Sequence, residues 1–148
     1  MKLYNILTSH EQPVVVPFGK SHWKLVEDYE VKLYTNEGTY TFKMLKGWIT
    51  DFRSGSSLID WFLPKRGNSM YTAIVLCHDM GFSGHLSKNL IDELLRQGMI
   101  LSGQPKYKAD LAYQAVQTFG NSCYYELDEK MPRPYSNNRQ FEIFRIYA

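Results

Sequence analysis

Hydrophobic and polar positions alternate through the first third of the chain. Trp23, Leu25, Val31 and Leu33 share one parity, with Lys24, Lys32 and Tyr34 on the other; Tyr40, Phe42 and Met44 resume the alternation after Asn36-Glu37-Gly38. A period of two sends successive side chains to opposite faces of a strand. Two such runs around an Asn/Gly turn predict a β-hairpin. Ahead of it, residues 13–17 (PVVVP) are a β-branched run between prolines, the pattern of an edge strand or an extended entry segment. Behind it, residues 47–51 read as a third strand that opens at Asp51 into the small polar loop Arg53 to Ser57. Ser56 or Ser57 would cap a short helix through Leu58, Trp61 and Phe62, ended by Pro64.

Beyond residue 68 the period lengthens to that of a helix. Ser69 is placed to cap a segment carrying Tyr71, Ile74, Val75, Leu76 and Cys77, apolar on nearly every side and therefore a buried central helix. It leads into His78-Asp79 and stops around Gly81 or Gly84. Ser87 caps a second helix with the stripe Leu90, Ile91, Leu94 and Leu95, ending at Gly98. Pro105 opens a third, with Tyr107, Leu111, Ala115, Val116 and Phe119 as its stripe and Gly120 as its close. Residues 131–138 are a loop, and residues 141–147 suggest a last strand. Strands, then three helices, then one strand is a segregated order. It predicts an α+β fold: a hairpin or small antiparallel sheet packed on a three-helix segment, with a C-terminal strand, in one domain over 1–148.

Composition changes this picture little. With 148 residues, 44% hydrophobic and 22% charged, the chain can bury a core without staples. A net charge of +2, from 17 basic and 15 acidic side chains without like-charge runs, gives no reason to expect nucleic-acid binding. Two cysteines make no disulfide framework, and Cys77 reads as a reduced core residue. No stretch suggests a membrane span or a signal peptide, and the cysteine usage fits synthesis in a reducing cytoplasm. The unusual number is 15% aromatic residues, including 11 Tyr. Some must lie near the surface, since a tyrosine hydroxyl needs a partner or water, and exposed aromatics mark protein interfaces or self-assembly.

Candidate chemistry lies between Trp48 and Asp92. His78-Asp79 places two ionisable groups at the end of an apolar helix, where an unpartnered carboxylate would be costly. Asp51 ends a strand beside small polar residues, and Asp92 sits at the margin of a buried stripe. As a metal set, Asp51, His78, Asp79 and Asp92 offer oxygen and imidazole donors suited to one divalent ion. As a catalytic set, Asp51, Ser54, His78 and Asp79 would carry a hydrolysis, with Ser54 or a metal-bound water as nucleophile. Each residue also has a structural role open to it: His78 as a core histidine, Asp79 as an acceptor of backbone or hydroxyl bonds, Asp51 as a turn or cap, Asp92 as a bridge to Arg96. The chain has no Gly-x-Ser-x-Gly elbow, HExxH, Walker loop or CxxC.

Trp48-Ile49-Thr50-Asp51-Phe52-Arg53-Ser54, the helix ending in His78-Asp79, Asp92 with Leu95, and Ala112-Tyr113-Gln114-Ala115-Val116-Gln117-Thr118-Phe119-Gly120 together resemble a small uncharacterised family of tailed-bacteriophage and prophage proteins. The family pattern is Thr-Asp-x-x-Ser-hydrophobic-Pro, a His-Asp helix, an Ala-Asp helix and a Tyr-x-Ala-Val-x-x-Phe-Gly helix. Here Ser56 stands for the proline, Met80-Gly81-Phe82 follows His-Asp, and Ile91 replaces the alanine. The resemblance implies a phage origin and matching positions at Asp51, Ser54, His78, Asp79 and Asp92, and it favours a place among virion or tail-associated proteins, with synthesis in the host cytoplasm and the virion as a further expected place. Two expectations follow. One is a structural or assembly component whose polar cluster holds the fold. The other is a small metal-dependent hydrolase, acting on cell wall or other host material. An inhibitor of a host defence system is a third class, to which no residue points.

Overall fold

The structure is a computed structural model; it describes residues 1–20, 22–50, 68–81, 86–119 and 144–147. It is α+β, with antiparallel sheet followed by three helices. The larger sheet is built on β1 (Leu3–Thr8), β4 (Tyr29–Thr35) and β5 (Gly38–Met44), in the order β1-β4-β5. A smaller sheet joins β2 (Val15–Phe18), β3 (His22–Leu25) and β6 (Ile49–Thr50) in the order β2-β3-β6. The expected hairpin is β4–β5: Thr35 faces Gly38 across the two-residue turn Asn36-Glu37, and Gly38 adopts φ 140°, open to glycine alone without strain. Its inward parity, Tyr29, Val31, Leu33, Phe42 and Met44, is buried. The backbone of β7 (Phe144–Tyr147) runs antiparallel beside β5.

Three features differ from the expected elements. The alternating run Trp23 to Tyr34 is two strands, β3 and β4, in different sheets, divided at residues 26–28. Residues 3–8 form β1, a strand the pattern did not suggest. A register shift between Leu3 and Asn5 lets Leu3 and Ile6, three apart, both point into the core, and such a bulge erases the period of two. The proline-flanked run becomes β2, an edge strand that begins two residues later than the run and ends one residue past it, at Phe18. The Val14 carbonyl accepts from Val26 N–H at 3.0 Å, so alternation turns the Pro17 nitrogen outward, where no donor is needed.

The helices are α1 (Ser69–Gly81), α2 (Lys88–Leu101) and α3 (Lys106–Phe119). Tyr71 through Met80 are all buried, so α1 is the central helix. Asn68 supplies its cap in place of Ser69: Asn68 Oδ1 accepts from Tyr71 N–H at 2.9 Å, and its amide donates to the Ser102 carbonyl at 2.7 Å. One side chain thus starts α1 and ties it to the end of α2. Ser87 caps α2, accepting from Leu90 N–H. Gly98 does not end α2; it lies inside the helix, where a Cβ would fall 2.3 Å from Ile74 Cγ1 of α1. On α3 the buried face is Ala109, Ala112, Ala115 and Val116, whereas Tyr107 and Leu111 of the expected stripe are 64% and 42% exposed. Small residues bring α3 close to the bundle and leave its larger side chains outside. The helical layer is fastened to the sheet by Gln97, whose Oε1 accepts from Leu3 N–H at 2.6 Å and whose Nε2 donates to the Met1 carbonyl at 3.1 Å. This side-chain amide occupies hydrogen-bonding positions on the edge strand β1 that a neighbouring strand would take.

Candidate functional site

Apolar periodicity buries one face of each helix, and the three faces meet where α1 ends, α2 begins and α3 ends. His78 arrives there from α1 and Asp92 from α2. Both side chains are 0% exposed, and His78 Nε2 lies 2.6 Å from Asp92 Oδ1. The other carboxylate oxygen accepts from Lys88 Nζ at 2.6 Å and from Gln117 Nε2 at 2.6 Å. Lys88 also donates to the carbonyl of Val116 at 2.8 Å. That carbonyl belongs to the last turn of α3, where intrahelical donors run out and the helix dipole favours a cation. One carboxylate therefore receives three donors, and the network draws on every helix of the bundle.

The charges follow from this geometry. Burial pushes the His78 imidazole down, and the adjacent Asp92 and Asp79 carboxylates only partly oppose it, so its pKa is lowered from 6.5. At neutral pH His78 is uncharged and donates Nε2–H to Asp92, which leaves the lone pair on Nδ1. Burial alone would raise the Asp92 carboxyl; its bonds to His78 and Lys88 more than offset that and hold it below 3.8. Among the described residues Asp92 is thus an anion balanced by one cation, Lys88, and held by neutral donors around it. A buried charge needs pairing and hydrogen bonding of this kind.

Of the candidate residues, the structure brings His78 and Asp92 into contact. Asp79 is buried on α1 at 3% exposure, and its charge acts on His78. Asp51 and Ser54 lie outside the described residues. Asp92 does not bridge to Arg96, which instead bonds Glu93 and Asp110. Two members of the cluster, Lys88 and Gln117, were not among the candidates. Lys88 carried a signal: a lysine in the first turn of a helix opposes the helix dipole and needs an anion elsewhere, which Asp92 at i+4 provides. Gln117 carried none, since a glutamine beside a buried stripe is ordinary.

Among the described residues no group of three or more His, Cys, Asp or Glu side chains is placed to hold a metal ion. The described residues also line a cleft of about 350 Å³ at the end of the larger sheet, with Ser9, His10, Asp28 and Lys43 on its walls. It contains none of the candidates. His10 there contacts Ser9 and Glu27 and is half exposed, as a surface histidine should be. No described helix is long and apolar enough to cross a membrane. Residues 23–116 match a family model described as a protein of unknown function (DUF1353). No curated protein and no solved structure matches the chain.

Proposed function

The chain belongs to the DUF1353 family of unknown function, and on that premise we propose that it is a non-enzymatic assembly component, a virion or tail-associated protein of a bacteriophage. In this account the Asp92 cluster is a clasp that holds the three helices together. The observation that carries it is the state of Asp92: its side chain is wholly buried, and both oxygens are engaged by donors from α1, α2 and α3. A substrate would have no path to such a carboxylate, and a metal ion would have to exchange places with the Lys88 ammonium. Exposed Tyr4, Phe18 and Tyr107 supply the aromatic surface that assembly favours. The phage setting rests on the ordered resemblance from Thr50-Asp51 through His78-Asp79 to Ala115-Val116.

Quantifying the chain in purified particles of the virus that encodes it tests this proposal. A fixed copy number per particle, or per tail intermediate, is expected. A chain abundant in the infected cell but absent from particles and from every assembly intermediate contradicts it.

A small metal-dependent hydrolase is the second reading, and one observation favours it. Asp92 anchors Nε2–H of a neutral His78, the way a carboxylate orients a metal-binding or basic histidine, and Asp79 stands beside it. Asp51, Ser54 and Asp79 would complete that site, with Asp92 as an orienting group rather than a ligand.

A further inference from the structure

The smaller sheet has two unlike faces. Directly opposed residues of an antiparallel pair share a face. Val15, Trp23 and Leu25 pack on the core. The other face carries Val16 opposite Lys24, Lys24 opposite Ile49, Val14 and Phe18 at the alternate positions of β2, and the partly buried His22 opposite Phe18 at one corner. Val14, Val16 and Phe18 are 42%, 43% and 37% exposed. Lys24 stands in the middle of these apolar side chains, 5.9 Å from the Phe18 ring centroid, and no carboxylate among the described residues pairs with it. The register positions of this face hold no acidic residue.

An apolar surface whose central lysine has no anion among the described residues is complementary to an apolar surface with one carboxylate. We propose that this face docks a short apolar segment of a partner protein, bearing an aspartate or glutamate that meets Lys24. The inference rests on the assembly reading and gives it a partner chemistry.

Three other occupants fit less well. A second copy paired face to face would bring its own Lys24 toward this one, since self-complementary contacts repeat the same patch on both sides. A strand added along the β2 edge would face Pro17, which has no N–H to give. An anionic membrane calls for several basic groups near the surface, and this face has a single lysine at its centre. The face is only three short strands wide, well below the roughly 800 Å² per partner of a standard interface. Binding by one copy is therefore weak, and many copies in one assembly would add up.

The test is selection of a displayed library of random dodecapeptides on the folded full-length chain and on its Lys24→Glu variant. Both must keep the same circular dichroism spectrum and unfolding transition. Wild type is expected to enrich peptides that combine apolar residues with Asp or Glu, and the variant to enrich Lys or Arg in their place. For one enriched acidic peptide, Lys24→Glu should weaken binding by about fivefold, the worth of one exposed ion pair, and amide shifts should centre on Val14, Val16 and Lys24. Enrichment without charge preference, or an unchanged preference in the variant, overturns the proposal. So does association with phosphatidylglycerol vesicles that Lys24→Glu abolishes, or a concentration-dependent dimer that Val16→Glu abolishes. A chain present in particles whose peptide selection fails removes this inference alone, whereas absence from particles removes the assembly reading whatever the peptides show.

Discussion

A buried carboxylate must find donors for its lone pairs or lose its charge, and Asp92 finds three. Its partners differ in what they contribute. Lys88 balances the charge, Gln117 adds a neutral donor, and His78 adds a donor whose state depends on pH. The folded chain holds His78 below its ordinary value of 6.5 by burial, so the unfolded chain binds this proton first as pH falls. Stability from this residue is therefore complete above about pH 6.5 and declines below it, by at most about 1.4 kcal/mol per pH unit for one proton. Asp92 acts further down, because its folded value is held below 3.8; its contribution is lost only as pH drops through that depressed value. Glutamine places an amide near the position of Nε2, so His78→Gln keeps a donor toward Asp92 and removes the titration. Urea unfolding of wild type and His78→Gln between pH 5 and pH 7, pH values chosen to bracket the ordinary histidine value, should show a steeper decline in wild type. Parallel curves would mean that His78 is not held neutral by the fold. At this scale the sequence marked His78 and Asp92 because ionisable groups amid apolar residues are conspicuous. It did not link them, because 14 residues of separation say nothing about facing.

Elements meet closely where small residues permit. Gly98 lets α2 lie against Ile74 of α1, and a Cβ there would come within 2.3 Å of Ile74 Cγ1. Ile74 is β-branched and stiff within a helix. Gly98→Ala gains about 1 kcal/mol in helix propensity but overpacks at a cost of about 1–3 kcal/mol, so a net loss of about 1 kcal/mol is expected in urea unfolding. Ile74→Ala in the same chain should make the pair of changes cost less than their sum; strict additivity would mean that the helices do not touch there. A glycine after an apolar stripe signals a helix end as readily as a close crossing, so the stripe ending at Leu95 predicts a stop at Gly98 although α2 runs on to Leu101. The same ambiguity explains α3. Periodicity selected the larger apolar residues Tyr107 and Leu111, but packing selected the alanines, since only they allow the approach to α2. The hairpin β4–β5 was legible because its alternation is unbroken and its turn chemistry local. β1 was not, because its bulge spaces Leu3 and Ile6 by three.

At the scale of the molecule, the order of elements was enough to predict α+β, since a run of strands precedes a run of helices instead of alternating with it. The partition of the strands into two sheets was not legible, because pairing β2 with β3 and β6 depends on contacts distant in sequence. The clasp is likewise a property of the whole. It joins α1, α2 and α3 at one carboxylate, while Gln97 and Asn68 fasten the bundle to β1 and to itself. The central claim is that Asp92 stabilises the folded chain directly and without a metal ion. The most direct test is the unfolding free energy of wild type and Asp92→Ala in urea at pH 7, each measured with EDTA and with added Zn²⁺ or Mn²⁺. Removing one member of a buried charge network costs about 3–5 kcal/mol, so Asp92→Ala should fall by about 3 kcal/mol under every condition, and wild type should be indifferent to chelator and metal. A wild type that loses stability in EDTA and regains it with metal, beside a variant that responds to neither, would contradict the clasp and place a metal ion at its centre.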